Sequence, residues 1–504
     1  MPEVRNVLFV VIDQLRADCL YGALAAHVAL PNLRALMADG VSFRNHYSVV
    51  NPCGPSRASM LTGQYAMNHR ATRNGTPLPH DTPNLATEVR KAGWLPLLFG
   101  YTDSAQDPRV HAPGDPALRS YEEVMPGFRE AVEMRLEESW PWRAHLAAKG
   151  YDVPPYPQIF RPRGERPDDA ALYRAEDSDT AFLTDCALNE IRVRKPGWFV
   201  HLTYIRPHPP FVAPAPYNRM YDPATLPPPS RAGSAAEEAA RHPLNIFAQA
   251  RSPIASTVEG FPDLAPTEEN VAMLRAIYLG LATEVDHHLG RIIAHLKDCG
   301  AYDGTLIVVT ADHGEMLGDH HLWGKTTYYD AAYRTALIIR DPGAPARGAV
   351  VDLPTEAVDV TPTILDCLDL PVPHTMDGRS LKPFLHGEHP SGWRRHTFSE
   401  LDFGDPVAPN ALQQHLGLIG EDANLAILRD GRYTYVHVNG GLPPLLFDAE
   451  GEGEMRDISG DPDAQPILLR LARAMLDHRM RHAQGRFART LVTGDGVRTG
   501  PRGW

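Results

Sequence analysis

Residues 7–12 read Val-Leu-Phe-Val-Val-Ile, an unbroken apolar and mostly β-branched run that stops at Asp13. It shows no polar alternation, so it does not fit a strand with one wet face. It fits a parallel strand covered on both sides, which commits the chain to an α/β layer architecture. Four further apolar runs read as strands: 95–100, 197–204, 305–310 and 336–340. In open α/β sheets, ligands gather at the carboxyl ends of such strands. Asp13 and the pair Asp312-His313 follow two of these runs. A carboxylate and an imidazole there can serve as oxygen and nitrogen ligands for one divalent ion. On its own, Asp13 also fits a helix cap.

The helical signals are equally regular. From Thr267, the residues Val271, Leu274, Ile277, Leu281, Val285, Leu289, Ile292 and Leu296 recur at helical spacing, and Gly300 closes the run. This face is core packing. Pro31–Gly40 and Asn84–Ala92 are shorter helices. Residues 105–195 read as insertions and helices around the mouth of a site, and 212–265 as a Pro- and Ala-rich peripheral excursion. Histidine, glycine and proline cluster near 386–392. Beyond them, Leu425–Leu428 and Tyr433–Val438 flank Asp430-Gly431 as a hairpin, 444–448 adds a strand, and 466–481 is an amphipathic helix. The expected organisation is a large domain over 1–388 and a smaller antiparallel-sheet domain over 389–504.

A net charge of −13 argues against a nucleic-acid binder. The five cysteines, Cys19, Cys53, Cys186, Cys299 and Cys367, are scattered and contain no CxxC pair. Neither a disulfide framework nor a zinc cluster follows, and a reducing, cytoplasmic setting fits best. The N-terminal apolar run is too short for a signal core or a membrane span.

The chemistry concentrates in Asn51-Pro-Cys-Gly-Pro-Ser-Arg-Ala-Ser-Met-Leu-Thr-Gly-Gln-Tyr65. Prolines and glycine punctuate a loop, Ser56 is placed to cap, and a helix follows. Cys53 is thus expected just ahead of a helix N-terminus, where free N–H groups favour an anion. Arg57, one turn on, adds a fixed positive charge.

Cys-Gly-Pro-Ser-Arg followed by Leu-Thr-Gly resembles the sulfatase signature, and the resemblance covers nearly the whole chain. It is closest to the phosphonate monoester hydrolase and arylsulfatase branch of the alkaline phosphatase-like superfamily. It implies a mixed, mostly parallel sheet between helices, plus a C-terminal α+β subdomain. It also implies that a formylglycine-generating enzyme oxidises Cys53 to formylglycine, whose hydrate attacks sulfur or phosphorus. One divalent ion, Ca2+ or Mn2+, would sit on Asp13, Cys53, Asp312 and His313. Arg57 and Lys325 would stabilise the ester oxygens, and His208, in Pro-His-Pro-Pro-Phe, would bind substrate or protonate the leaving group.

The same resemblance assigns Asn74, Tyr101 and Asp103 to the substrate site. Gln14 stands where many sulfatases carry a second Asp, and Asp103 where the branch carries Thr. An added carboxylate repels an anionic ester unless it is paired. The expected activity is sulfate monoester hydrolysis with phosphonate and phosphodiester side activity. A primary phosphonate monoester hydrolase, a non-catalytic anion-binding protein with unconverted Cys53, and a phosphoglycerate mutase-like transferase are the rivals. The expected partners are a small-molecule ester and further copies of the chain, as a dimer or tetramer, with the tail from Phe487 docking on a neighbour.

Overall fold

A computed structural model of the chain describes residues 5–135, 138–483 and 490–500. The chain forms two compact units, each assembled from three separated stretches. The first takes 1–44, 94–102 and 128–351, and the second 45–93, 103–127 and 352–504. The junction read at 388/389 falls inside the second unit. The strands, numbered along the chain, are β1 (Asn6–Ile12), β2 (Val41–Tyr47), β3 (Val50–Asn51), β4 (Pro96–Gly100), β5 (Arg129–Glu133), β6 (Phe199–Tyr204), β7 (Thr305–Thr310), β8 (Arg334–Arg340), β9 (Ala349–Val351), β10 (Thr355–Glu356), β11 (Thr397–Asp402), β12 (Asn424–Arg429), β13 (Tyr433–Val438), β14 (Leu445–Asp448), β15 (Thr490–Thr493) and β16 (Gly496–Thr499).

In the first unit the strands lie in the order β2–β8–β7–β1–β6–β4–β5, with β9 beside β2. β1 is parallel to both β6 and β7. All residues of these three strands are buried, as continuous apolar runs require. β8 runs antiparallel to β7. Because β1 and β7 are adjacent and parallel, their carboxyl ends deliver Asp13 and Asp312 side by side. The helix Glu268–Asp298 spans 31 residues and is capped by the Thr267 hydroxyl, which accepts from the Asn270 N–H. Its apolar face is buried, Val271, Leu274, Ile277, Leu281, Leu289 and Ile292 included. One strand departs from expectation. β5 lies inside the stretch read as insertions and helices, and it adds a polar edge parallel to β4.

In the second unit a sheet runs β14–β13–β12–β11–β3. Its last four strands in sequence form an antiparallel meander. β3 joins in parallel on the far side of β11, with Val50 opposite Glu400 and Asn51 opposite Leu401. Phe398, Leu428, Tyr435 and Leu446 pack there with Leu471 and Met475 of the helix Gln465–His482. β15 and β16 pair as a hairpin that exposes Leu491, Val492 and Val497. Of the tail expected to dock on a neighbour, residues 487–489 and 501–504 lie outside the described residues. Among the described residues, no helix is long and apolar enough to cross a membrane.

Candidate active site

In the first unit, Asp13 and Asp312 emerge from β1 and β7 almost fully buried. The Tyr101 hydroxyl donates to Asp13 Oδ2. Asp312 Oδ1 accepts from the Gln14 N–H at 3.1 Å and the His313 N–H at 2.9 Å. His313 Nδ1 lies 3.0 Å from the Gly314 carbonyl, so Nδ1 carries the proton and Nε2 the lone pair. Nε2 faces Asp13 Oδ1 at 3.8 Å and Asp312 Oδ2 at 3.6 Å. Burial pushes the His313 pKa down to about 4, against the pull of Asp312, so the ring is neutral at neutral pH. The glycine after it is required by space. A Cβ on Gly314 would fall 1.9 Å from the Ala331 carbonyl oxygen. The ligand atoms of Asp13, Asp312 and His313 lie within 4.8 Å of one another. Two carboxylates and a neutral imidazole with its lone pair turned toward them suit a divalent ion.

Gln14 holds this group together. Its φ is +66°, in the left-handed region where a non-glycine residue is uncommon. Its carbonyl accepts from the Tyr278 hydroxyl at 2.7 Å, and its side-chain amide donates to Glu315. Its Oε1 accepts from Lys325 Nζ at 2.7 Å. Glu315 in turn accepts from the N–H groups of Leu317 and Gly324, at 2.9 and 2.7 Å, which fixes the loop carrying Lys325. Lys325 Nζ also lies 3.0 Å from His208 Nε2. His208 Nδ1 donates to the Pro209 carbonyl at 2.6 Å, so the proton between Lys325 and His208 belongs to Lys325. Burial and the Lys325 ammonium keep the His208 pKa well below its ordinary value. Arg206, which the sequence did not single out, donates to the His208 and Pro210 carbonyls, both at 3.0 Å. Its Nε pairs with the buried Asp179 at 2.9 Å.

In the second unit, Cys53 is the first residue of the helix Cys53–Thr62 rather than the residue before it. Pro52 occupies the N-cap position, and Ser56 is not the cap. The Ser56 hydroxyl instead accepts from the Ser48 hydroxyl at 3.1 Å. All ten residues of the helix are buried. The Gly54 N–H donates to Asn74 Oδ1 at 3.0 Å, so Asn74 satisfies one of the free donors beside Cys53. A Cβ on Gly54 would meet the Asp103 carbonyl oxygen at 2.9 Å and Asn74 Oδ1 at 3.0 Å. Asp103, at φ +49°, turns its carboxylate to 3.7 Å from Arg57 Nε. The departure from Thr is therefore a paired carboxylate.

The fold and these groups describe a hydrolase of the alkaline phosphatase-like superfamily. The sulfatase family profile matches residues 5–370, and the chain belongs to that family. A second profile, described as N-sulphoglucosamine sulphohydrolase, C-terminal, matches residues 318–481. A phosphonate monoester hydrolase from Silicibacter pomeroyi superposes with a TM-score of 0.96 at 60% identity, covering 98% of this chain and 99% of that one. The phosphonate monoester hydrolase of Agrobacterium radiobacter gives 0.95 at 40% identity, covering 99% and 100%. The multifunctional alkaline phosphatase superfamily protein PehA of Trinickia caryophylli is 40% identical over 498 residues, 95% of this chain and 96% of that protein.

Proposed function

We propose that the chain hydrolyses sulfate monoesters, with phosphonate monoesters and phosphodiesters turned over at the same site. The observation that carries this reading is Cys53 at the first position of a buried helix, with Arg57 one turn on, in a member of the sulfatase family. Cys53 is the precursor of the nucleophile. As formylglycine, made by a formylglycine-generating enzyme, it would supply one hydroxyl for attack and a second for release of the anion. A divalent ion, Ca2+ or Mn2+, held by Asp13, Asp312, His313 and the residue at 53, would supply Lewis acidity.

Arg57 stabilises charge on the transferred group. Its pairing with Asp103 lowers the positive charge it presents, which suits singly charged sulfate and phosphonate monoesters over doubly charged phosphate monoesters. Lys325 binds the ester oxygens and holds the proton for the leaving group. His208 orients Lys325 and lines the substrate site. Asn74 and Tyr101 serve through the groups they hold, the Gly54 N–H and Asp13. The same reading makes the protein a cytoplasmic homo-oligomer, supported by the apolar residues that the hairpin β15–β16 exposes.

The test is catalytic efficiency, on one preparation with metal loading and conversion of Cys53 verified, for an aryl sulfate and a phenyl phosphonate of equal leaving group. Sulfate is expected to be faster by about a hundredfold, or about 2.7 kcal/mol of transition-state discrimination. Phosphonate faster would make the chain a primary phosphonate monoester hydrolase. No turnover of either would leave a non-catalytic anion-binding protein.

A further inference from the structure

A basic cavity lies at the far end of the Cys53 helix. Tyr65 stands three residues beyond Thr62, the last residue of that ten-residue helix. The helix rises about 13.5 Å from Cys53 to Thr62, and Tyr65 lies past that end. Tyr65 lines a cavity of about 210 Å³ whose wall carries four arginines and three histidines and no carboxylate. Two of the arginines are committed elsewhere. Arg394 pairs with Asp359 at 2.7 Å and Glu356 at 3.0 Å, and Arg379 donates to the Gly392 carbonyl at 3.1 Å. Their guanidinium groups lie over the Trp393 ring, 5.2 and 5.6 Å from its centroid.

The other two, Arg395 and Arg481, are exposed, and neither makes an ion pair with any described residue. On the buried side, His478 is 8% exposed and its Nε2 has no hydrogen-bond partner. His478 stacks on Phe398 at 4.3 Å, which fixes the ring. Two uncommitted cations at the mouth and an unsatisfied ring nitrogen at the base are what a compact anion with several acceptor oxygens would satisfy. Arg379 and Arg394 add positive potential behind them.

We propose that this cavity is a second anion site, separate from the catalytic one, that takes a tetrahedral oxyanion: phosphate, or a phosphoryl group carried on a small molecule. An occupant would tie together the segment after the Cys53 helix, residues 392–396 and the end of the helix Gln465–His482.

The test is calorimetric titration of full-length protein with inorganic phosphate at low salt. Three proteins are compared: wild type, the double variant Arg395→Gln/Arg481→Gln, and Lys325→Ala, which weakens anion binding at the catalytic site. Wild type and Lys325→Ala are expected to share one phosphate-binding event. The double variant is expected to weaken it at least tenfold while kcat/KM for the aryl sulfate stays within twofold. Both arginines are exposed, so the double variant should keep the wild-type melting temperature in phosphate-free buffer. In the Lys325→Ala protein, tighter binding of glycerol phosphate than of phosphate supports the site and assigns it a carried phosphoryl group. Equal or tighter phosphate supports it and assigns the free ion. An unchanged phosphate affinity in the double variant, or no binding event in Lys325→Ala, overturns the proposal.

Discussion

The loops that carry Asp13, Asp312 and His313 are tied together by side chains, whereas the turn that carries Cys53 is set by main chain. In the first unit, Gln14, Tyr101, Glu315 and Lys325 form a connected polar network around the two carboxylates. Each member takes part of its orientation from the next, and Gln14 alone joins Asp312, Glu315, Tyr278 and Lys325. In the second unit, Cys53 follows a strand of two residues paired to β11, and the helix it opens begins with a Ser56 N–H to Pro52 carbonyl bond of 3.1 Å. A network of side chains tunes charge and ligand direction, but it fails where one member is removed. A turn fixed by backbone pairing tolerates the loss of single side chains and depends on its neighbouring strand.

The largest expected effect tests the network. Tyr101→Phe removes the hydroxyl that donates to Asp13 and should lower metal affinity about 10- to 100-fold, as loss of an outer-shell partner does. Metal content after dialysis, measured by mass spectrometry, checks it. A full metal complement in that variant would mean the carboxylates hold themselves.

Next comes a buried histidine that props the Cys53 helix. Ser59 Oγ lies 2.8 Å from His69 Nε2, and His69 Nδ1 accepts from the Ala71 N–H at 3.1 Å. Burial pushes the His69 pKa down to about 3. The unfolded chain, near 6.5, takes up the proton first as pH falls. Stability is therefore full above about pH 6.5 and is lost below it, by at most about 1.4 kcal/mol per pH unit for this residue. His46, also held near 3 by burial, adds a similar slope. Denaturant titrations between pH 7.5 and 5 should show a shallower loss in His69→Gln than in wild type, with His46 and the other buried histidines, His208, His288, His313 and His396 among them, supplying the rest.

The smallest effect is expected at the cap. Asn74→Ala removes the acceptor for the Gly54 N–H, at about 1 kcal/mol of stability. Metal content should not change. A melting curve beside an aryl sulfatase assay checks it, and a collapse of activity would move Asn74 from helix cap to direct substrate contact.

Much of this was legible in the chain. β1, β6 and β7 are buried on both faces, so their apolar runs carry the signal without alternation, and the acids at the ends of β1 and β7 follow from the sheet. The long helix from Thr267 shows the same clarity. β5 was not legible because Arg-Glu-Ala-Val-Glu at a sheet edge buries little. Ser56 looked like a cap because serine commonly is one, yet Pro52 opens the helix four residues earlier than that reading allows. Gln14 was visible as a departure from the family, but its hub role rests on a left-handed backbone that glutamine rarely adopts. The partner of Asp103 could not be read, since it depends on another such turn. Two interleaved units built from three stretches each have no linear boundary for composition to reveal.

The strand that leads into Cys53 finds its partner late. Asn51 sits opposite Leu401, a separation of 350 residues. At a synthesis rate of about 5–20 residues per second, that interval lasts roughly 20–70 s. Through all of it the segment before Cys53 has no sheet to join. In the finished chain the cysteine is 6% exposed. Any chemistry that must reach its thiol therefore has a clock, set by the length of chain still to be made, and slowing translation upstream of β11 should lengthen the time allowed.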